Sequence, residues 1–195
     1  MGLEKGLVQI YTGNSKGKTT CALGLSLRAV GHGLKVCILQ FMKGGAYTGE
    51  LYAAERLFPN LKMIQFGRGC PWAGLIKAGY RKCTGCGQCF AIGKGKEEDK
   101  ELAQLAYSEA KRILLSEEYD LLILDEITNA LGRDLVSKEQ ILELIRLRPE
   151  KIELVLTGRH FPDQEIIDAA DLVTEMKQIK HPFDKGIASR RGIEY

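Results

Sequence analysis

Apolar residues along this chain follow two alternating rhythms. Short, largely apolar runs fall over residues 7–11, 35–41, 61–66, 121–124 and 152–156, and a last short strand is predicted over 171–175. Between them lie stretches with helical spacing. Over 19–30 the inward positions are Ala22, Leu25 and Ala29; over 97–116 they are Leu102, Leu105, Ala106, Ala110, Ile113 and Leu114. Further helices are predicted over 50–57 and 163–170. Apolar positions three and four apart share a helix face, whereas short continuous runs suit strands buried on both sides. Gly31 and Gly33 end the first helix, and Pro59 stops the second. Ser137 with Gln140 three residues on reads as a capping box, opening a helix with Ile141, Leu144 and Ile145 inward.

Strands separated by helices need crossover connections, and crossovers give parallel pairing covered on both faces. The predicted fold is therefore α/β, a doubly wound and mostly parallel sheet. Ligands in such folds lie at the carboxyl ends of the strands, so chemistry is to be sought just after each strand.

After the first strand the chain reads Thr12-Gly13-Asn14-Ser15-Lys16-Gly17-Lys18-Thr19-Thr20 and runs into a helix. Strand, glycine-bearing turn and helix N-terminus together make a P-loop, whose backbone N–H groups converge on an anion with the helix dipole behind them. Lys18 supplies a point charge and Thr19 a hydroxyl for Mg²⁺. The usual spacing has four residues between the glycines; here Thr12 holds the first position and Gly13 comes one residue late. The run Leu121-Leu122-Ile123-Leu124-Asp125-Glu126 ends in two carboxylates, the Walker B pattern that holds Mg²⁺ beside the P-loop hydroxyl. The next strand ends at Thr157-Gly158-Arg159, where an arginine can reach a terminal phosphate bidentately. The expected class is thus P-loop NTPase-like, RecA-like.

Composition adds boundaries and one anomaly. The 195 residues fit a single domain, 1–195, and no apolar run is long enough to span a membrane. The first ten residues carry no signal-peptide pattern, so a cytoplasmic protein is expected. The net charge of +3 is too small to argue for nucleic acid. It is unevenly placed, however. Residues 67–96 hold six basic side chains (Arg68, Lys77, Arg81, Lys82, Lys94 and Lys96), no acidic one, eight of the 22 glycines and four of the six cysteines. A basic, glycine- and cysteine-rich insert interrupts an otherwise acidic chain.

The P-loop, then Leu27-Arg28-Ala29-Val30-Gly31-His32-Gly33, Gln40-Phe41-Met42-Lys43-Gly44, Leu124-Asp125-Glu126, Thr157-Gly158-Arg159, the stretch from Lys180-His181-Pro182 to Ile187, and the closing Gly192-Ile193-Glu194-Tyr195 together resemble the P-loop type of ATP:corrinoid adenosyltransferase. The resemblance runs end to end except through the insert. It implies transfer of the 5′-deoxyadenosyl group of ATP to Co(I) of a corrinoid, with triphosphate leaving, in adenosylcobalamin biosynthesis or salvage. Co(I) is itself the nucleophile, so no general base is needed. The enzyme must align C5′ with cobalt and neutralise the departing polyanion. Lys18, Thr19 with Mg²⁺, and Arg159 are expected to do the second task, with Asp125 and Glu126 as further Mg²⁺ residues. Thr12, Gly13, Asn14, Ser15, Lys16, Gly17, Thr20 and Arg28 match nucleotide-binding positions. The resemblance further implies an electron donor that reduces Co(II), a homodimer, and an aromatic wall that displaces cobalt's lower ligand. In Gly67-Arg68-Gly69-Cys70-Pro71-Trp72 the tryptophan of that wall is kept as Trp72, and Cys70 stands where the family commonly has phenylalanine.

The insert also carries Cys83-Thr84-Gly85-Cys86-Gly87-Gln88-Cys89. Three cysteines at this spacing, with Cys70 as a fourth, suit an Fe–S cluster or Zn²⁺ if the compartment is reducing; reduced, unmetallated thiols are the alternative. Two other functions stay open on the residues alone. One is a P-loop NTP hydrolase or small-molecule kinase acting on the γ-phosphate; the other is a metal-bearing nucleic-acid module using the basic insert. In the tail, Lys180, His181 and Asp184 are candidates to reach phosphates or corrinoid side chains.

Overall fold

A computed structural model describes residues 2–44, 48–82, 84, 97–160 and 162–194. Six strands form one sheet: β1 (Val8–Thr12), β2 (Val36–Phe41), β3 (Leu61–Phe66), β4 (Leu121–Asp125), β5 (Glu153–Thr157) and β6 (Leu172–Glu175). Every pairing is parallel, in the order β3-β2-β4-β5-β1-β6. Flanking them are α1 (Lys18–Gly31), α2 (Gly49–Leu57), α3 (Ala73–Lys77), α4 (Glu97–Ser116), α5 (Ile127–Leu131), α6 (Lys138–Leu147) and α7 (Gln164–Asp168), with a short 3₁₀ turn at Pro182–Lys185.

Successive strand side chains point to opposite faces, so the sheet separates two cores. On one face Ile10, Leu39, Leu122, Leu124, Leu154 and Leu156 pack with Ala106, Ala110 and Ile113 of α4 and Ile141 and Leu144 of α6. On the other, Val36, Ile38, Leu121, Ile123 and Val155 meet Ala22 and Ala29 of α1 and Ala54 of α2. Leu121, Leu122, Ile123 and Leu124 are each 2% exposed or less, which is why β4 reads as an unbroken apolar run.

The predicted strands and long helices are all present, with ends shifted by a residue or so. The capping box is also present: the Ser137 hydroxyl accepts from Gln140 N, and the Gln140 side chain accepts from Ser137 N. Two helices, α3 and α5, were not predicted. Each is five residues long, too short to show a period.

Gly44 and Gly67 bring two loops of the carboxyl edge into main-chain contact. A Cβ on Gly44 would lie 1.9 Å from Gly67 O, and one on Gly67 would lie 2.5 Å from Lys43 N. Farther along, Arg68 pairs with the buried Asp99 at 2.8 Å, tying the start of residues 67–82 to α4.

Candidate functional site

The loop between β1 and α1 is shaped by two glycines in the left-handed half of backbone space, Gly13 at φ +102° and Gly17 at φ +120°. A Cβ on Gly13 would meet Met176 O at 2.5 Å, so that position needs glycine for conformation and for room; one on Gly17 would meet Met176 Sδ at 2.8 Å, on a side chain that can swing away, so there the backbone conformation sets the requirement. Ser15 N donates to Met176 O, fastening the loop to the residue after β6. Gly17 caps α1 without a side-chain acceptor, which leaves the first N–H groups of that helix for an anion. Lys18 is 5% exposed; its Nζ donates to Gly13 O and Ser15 O, both at 2.6 Å. Burial lowers its pKa, and nearby Arg159 pushes the same way against Glu126 and Asp125. A partly desolvated lysine of this kind gains from an arriving anion.

Across the sheet edge runs a row of buried polar side chains. Gln65 donates to Gln40 at 2.8 Å, and Gln40 donates to Asp125 Oδ2 at 3.0 Å. Oδ2 also takes the Lys43 ammonium at 2.8 Å. Oδ1 accepts from the hydroxyls of Thr19 and Thr157, at 2.8 and 2.7 Å. Parallel register makes this possible, since Gln40 lies beside both Gln65 and Asp125. Burial opposes the charge on Asp125, but Lys43 and the two hydroxyls outweigh it and hold the carboxyl below its usual range. Lys43 shows the reciprocal effect: burial disfavours its charge, Asp125 more than offsets this, and its pKa rises.

Glu126 differs from its neighbour. It has φ +67° and caps α5 from the left-handed region. Burial raises its pKa, and the adjacent Asp125 charge raises it further. Asn129 holds it in place: the amide Nδ2 donates to Glu126 Oε2, while Oδ1 accepts from Arg159 N at 2.6 Å and His160 N at 3.0 Å. One amide thus fixes both the second carboxylate and the loop bearing Arg159.

Around these groups lies a cavity of about 410 Å³, lined by Lys16–Thr20 on the loop side and by Lys43, Glu126 and Arg159 across from it. The chain's tail closes one wall with Gly192, Ile193 and Glu194. Glu194 pairs with Lys16 at 3.0 Å and with Arg190 at 3.1 Å. Hydrogen bonds from Arg190, side chain and backbone, and then from Lys16 hold its carboxyl down to about 2.

The predicted residues divide accordingly. Ser15, Lys16, Gly17, Lys18, Thr19, Thr20, Glu126 and Arg159 line the cavity. Asp125 lies beneath it, 0% exposed, bonded to Thr19. Thr12 and Gly13 are buried in the loop's root, and Asn14 is exposed outside the cavity. Arg28 does not come to the site. It is exposed on α1 and lines a separate cavity with Leu3, His32, Leu34 and Leu121, at the amino ends of the strands. Ten residues of helix carry it about 15 Å from Lys18 along the axis. Trp72 lines neither the nucleotide-sized cavity nor the one next to it. It is 41% exposed, precedes α3, and carries the Arg81 guanidinium 3.9 Å from its ring centre. In the tail, His181 Nδ1 accepts from Phe183 N and Asp184 accepts from Gln178, so these two serve the local turn; Lys180 is exposed and lines none of these cavities. Glu194 reaches the P-loop instead. Cys83, Cys86 and Cys89 lie outside the described residues. Cys70 is half-buried and unpaired, and no cluster of three metal-binding side chains occurs among the described residues.

Lys43, Gln40, Thr157, Asn129 and Glu194 went unremarked as site residues in the sequence. The positions of the first three just at strand ends were the available signal.

Sequence comparison decides what this site belongs to. The model of the family described as "ATP:corrinoid adenosyltransferase BtuR/CobO/CobP" matches residues 4–195. The chain belongs to that family. A corrinoid adenosyltransferase of a Sinorhizobium species is 32% identical over 194 residues, covering 98% of this chain and 81% of its own. One from Escherichia coli is 32% identical over 192 residues, with 98% and 87% covered. Beyond the family, the flagellar accessory protein FlaH of Methanocaldococcus jannaschii superposes with a TM-score of 0.54 at 12% identity, over 90% of this chain and 72% of its own. That likeness concerns fold alone, and agrees with the P-loop, RecA-like class expected from the sequence. No helix among the described residues is long and apolar enough to cross a membrane.

Proposed function

We propose that the chain transfers the 5′-deoxyadenosyl group of ATP to the reduced cobalt of a corrinoid. The observation that carries this reading is a phosphate-binding loop facing Glu126 and Arg159 across one cavity, in a chain of the corrinoid adenosyltransferase family. The cobalt lone pair of Co(I) attacks C5′; the C5′–O bond breaks, and its electron pair leaves with triphosphate. Such a displacement needs alignment and countercharge rather than proton transfer, and the cavity is built from countercharge.

In this reading Lys18 leaves its carbonyl partners for the polyphosphate, and Arg159 and Lys16 meet other oxygens of it. Thr19 and Glu126 would hold Mg²⁺, with Asp125 ordering Thr19 from below. The donor set fits a small hard cation: one hydroxyl and one carboxylate whose charge burial disfavours, so that a cation there relieves a cost already present. When bound, Mg²⁺ supplies positive charge to the triphosphate oxygens. Asn129 keeps Glu126 and Arg159 together on the wall that faces the leaving group.

Trp72 is offered as the aromatic that screens cobalt's lower face, because it lies on the loop following β3 at the carboxyl edge, where a corrinoid next to the nucleotide would sit. Cys70, Cys83, Cys86 and Cys89 are offered as ligands for an Fe–S cluster or Zn²⁺, tested by metal analysis of anaerobically purified protein. A single catalytic unit over 1–195 with an insert at 67–96, paired as a homodimer, completes the reading, and sedimentation tests the last part. A separate reductant supplies the electron that converts Co(II) to Co(I).

The deciding experiment is an anaerobic assay with ATP, Mg²⁺ and chemically reduced cobalamin. Triphosphate and a light-sensitive alkylcobalamin spectrum are expected in equal amounts. ADP and inorganic phosphate instead would favour hydrolase or kinase chemistry and sink the reading.

A further inference from the structure

Beside the nucleotide-sized cavity lies a second one of about 250 Å³. Lys43, Glu126 and Arg159 line both and form the wall between them. No P-loop residue reaches the second cavity. Its own surface comes from Phe41 at the end of β2 and Met42 just after it, and from Asn129 in α5 and Arg133 just beyond.

The charges in this cavity are unevenly matched. Lys43 is paired with Asp125, and Glu126 is held by Asn129. Asn129 is already engaged, with one donor bond to Glu126 and both acceptor sites of Oδ1 taken by Arg159 N and His160 N. Two guanidinium groups remain. Neither Arg159 nor Arg133 has a side-chain hydrogen bond or an ion pair among the described residues, and Arg133 Nη1 is buried without a partner among them. A buried N–H without an acceptor is costly, and an anion placed there removes the cost. The other lining residues, Phe41 and Met42, are apolar and useless to a free polyphosphate. The combination suits an anionic oxygen pair carried on an apolar frame.

We propose that this cavity is a carboxylate subsite for the periphery of the corrinoid, with Arg133 as its ligand and Arg159, turned to the polyphosphate, at its border. The proposal rests on the adenosyl-transfer reading and deepens it. A corrin ring bears acetate and propionate arms, either as free carboxylates or as amides, on a methylated rim. A free carboxylate matches a guanidinium fork bidentately and an amide does not. The substrate class favoured is therefore a corrinoid that still carries free side-chain carboxylates, rather than a fully amidated one. A terminal phosphate of the nucleotide shares the anionic chemistry and is separated by the test.

Equilibrium binding of the full chain is measured with Co(III) corrinoids, which do not react. The probes are cobyrinic acid a,c-diamide, whose other arms are free acids, fully amidated cobinamide, and inorganic triphosphate. Wild-type protein is expected to bind the carboxylate-bearing corrinoid about tenfold more tightly than the amidated one. Arg133→Met should abolish that preference and leave cobinamide and triphosphate binding unchanged. Arg133→Lys, which keeps the charge and the fold but loses the fork, should retain only part of it. Equal affinity of the wild-type protein for both corrinoids would overturn the subsite, as would an unaltered preference in Arg133→Met. Weakened triphosphate binding in Arg133→Met would assign the cavity to the nucleotide and overturn it equally. The underlying reading fails separately: a wild-type protein that binds ATP but adenosylates neither reduced corrinoid would defeat both, whereas adenosylation of cobinamide without carboxylate preference would defeat the subsite alone.

Discussion

Adjacent carboxylates at the end of β4 respond to pH in opposite directions. Asp125 titrates below its ordinary range, so the stability it contributes is complete above that range and is lost as pH falls through the lowered value. Glu126 titrates above its ordinary range. The folded chain holds that proton more tightly than the unfolded chain, so stability declines as pH rises from the ordinary carboxylate range through the raised value. Replacing Glu126 by Gln removes this loss and keeps an acceptor for Asn129. The ligand-free melting temperature at pH 8 is expected to rise by roughly 2–4 °C, the equivalent of about 1 kcal/mol in a chain of this size, with a smaller gain at pH 5. Calorimetry at the two pH values checks this, and a lower melting temperature at pH 8 would refute it. Magnesium affinity should fall in the same variant. Asp125→Asn has the opposite character. It strands the Lys43 ammonium, 17% exposed, without its partner, and should cost about 3 kcal/mol in denaturant unfolding. Adding Lys43→Met should recover a large part of that loss, and a strictly additive double variant would show that the pair is uncoupled.

Strands and long helices could be read from the sequence because their signals are local. Four apolar residues ending in Asp125 and Glu126, or Ser137 facing Gln140, need no knowledge of the rest of the chain. The row from Gln65 through Gln40 to Asp125 could not be read in that way. Its members lie 25 and 85 residues apart and meet only through strand register, which no short window contains. Arg28 shows the converse. It belongs to a recognisable motif on α1, yet helical rise takes it to the far end of the sheet. The loop itself makes a prediction at this scale. Gly13→Ala would force a Cβ against Met176 O and strain a φ of +102°, displacing β6 from the loop. ATP binding by titration calorimetry should weaken about tenfold or more while the far-ultraviolet spectrum stays native; unchanged affinity would mean that the loop adapts. The tail offers the complementary case. Glu194 places a carboxylate on Lys16 at the entrance meant for a polyanion. Glu194→Gln should raise ATP affinity a few-fold at low salt, with the gain shrinking as salt rises, and a loss of affinity would show that the carboxylate assists binding.

At the scale of the molecule, β4 is the centre of the structure. It lies between β2 and β5, and its four apolar side chains supply both cores. Leu124→Ala opens a cavity in the packing directly behind Asp125 and should cost about 3 kcal/mol. Native-state hydrogen exchange should find the β4 amides among the last to open and the tail after Met176 among the first; early exchange in β4 would contradict a core organised around it. The division of labour follows from this geometry. A buried sheet edge holds the anion-binding groups, while segments after β3 and β6 are laid over the surface beside it.

The main-chain contact of Gly44 with Gly67 has a consequence for how such a scaffold can be rebuilt. Because the two loops touch through bare backbone, the junction itself is specified by the lack of side chains, and the Arg68–Asp99 pair is the side-chain tie that follows it. The residues after Arg68 can be exchanged there as a cassette, leaving the neighbouring lysine undisturbed, provided that both glycines stay bare and Arg68 keeps its hold on Asp99.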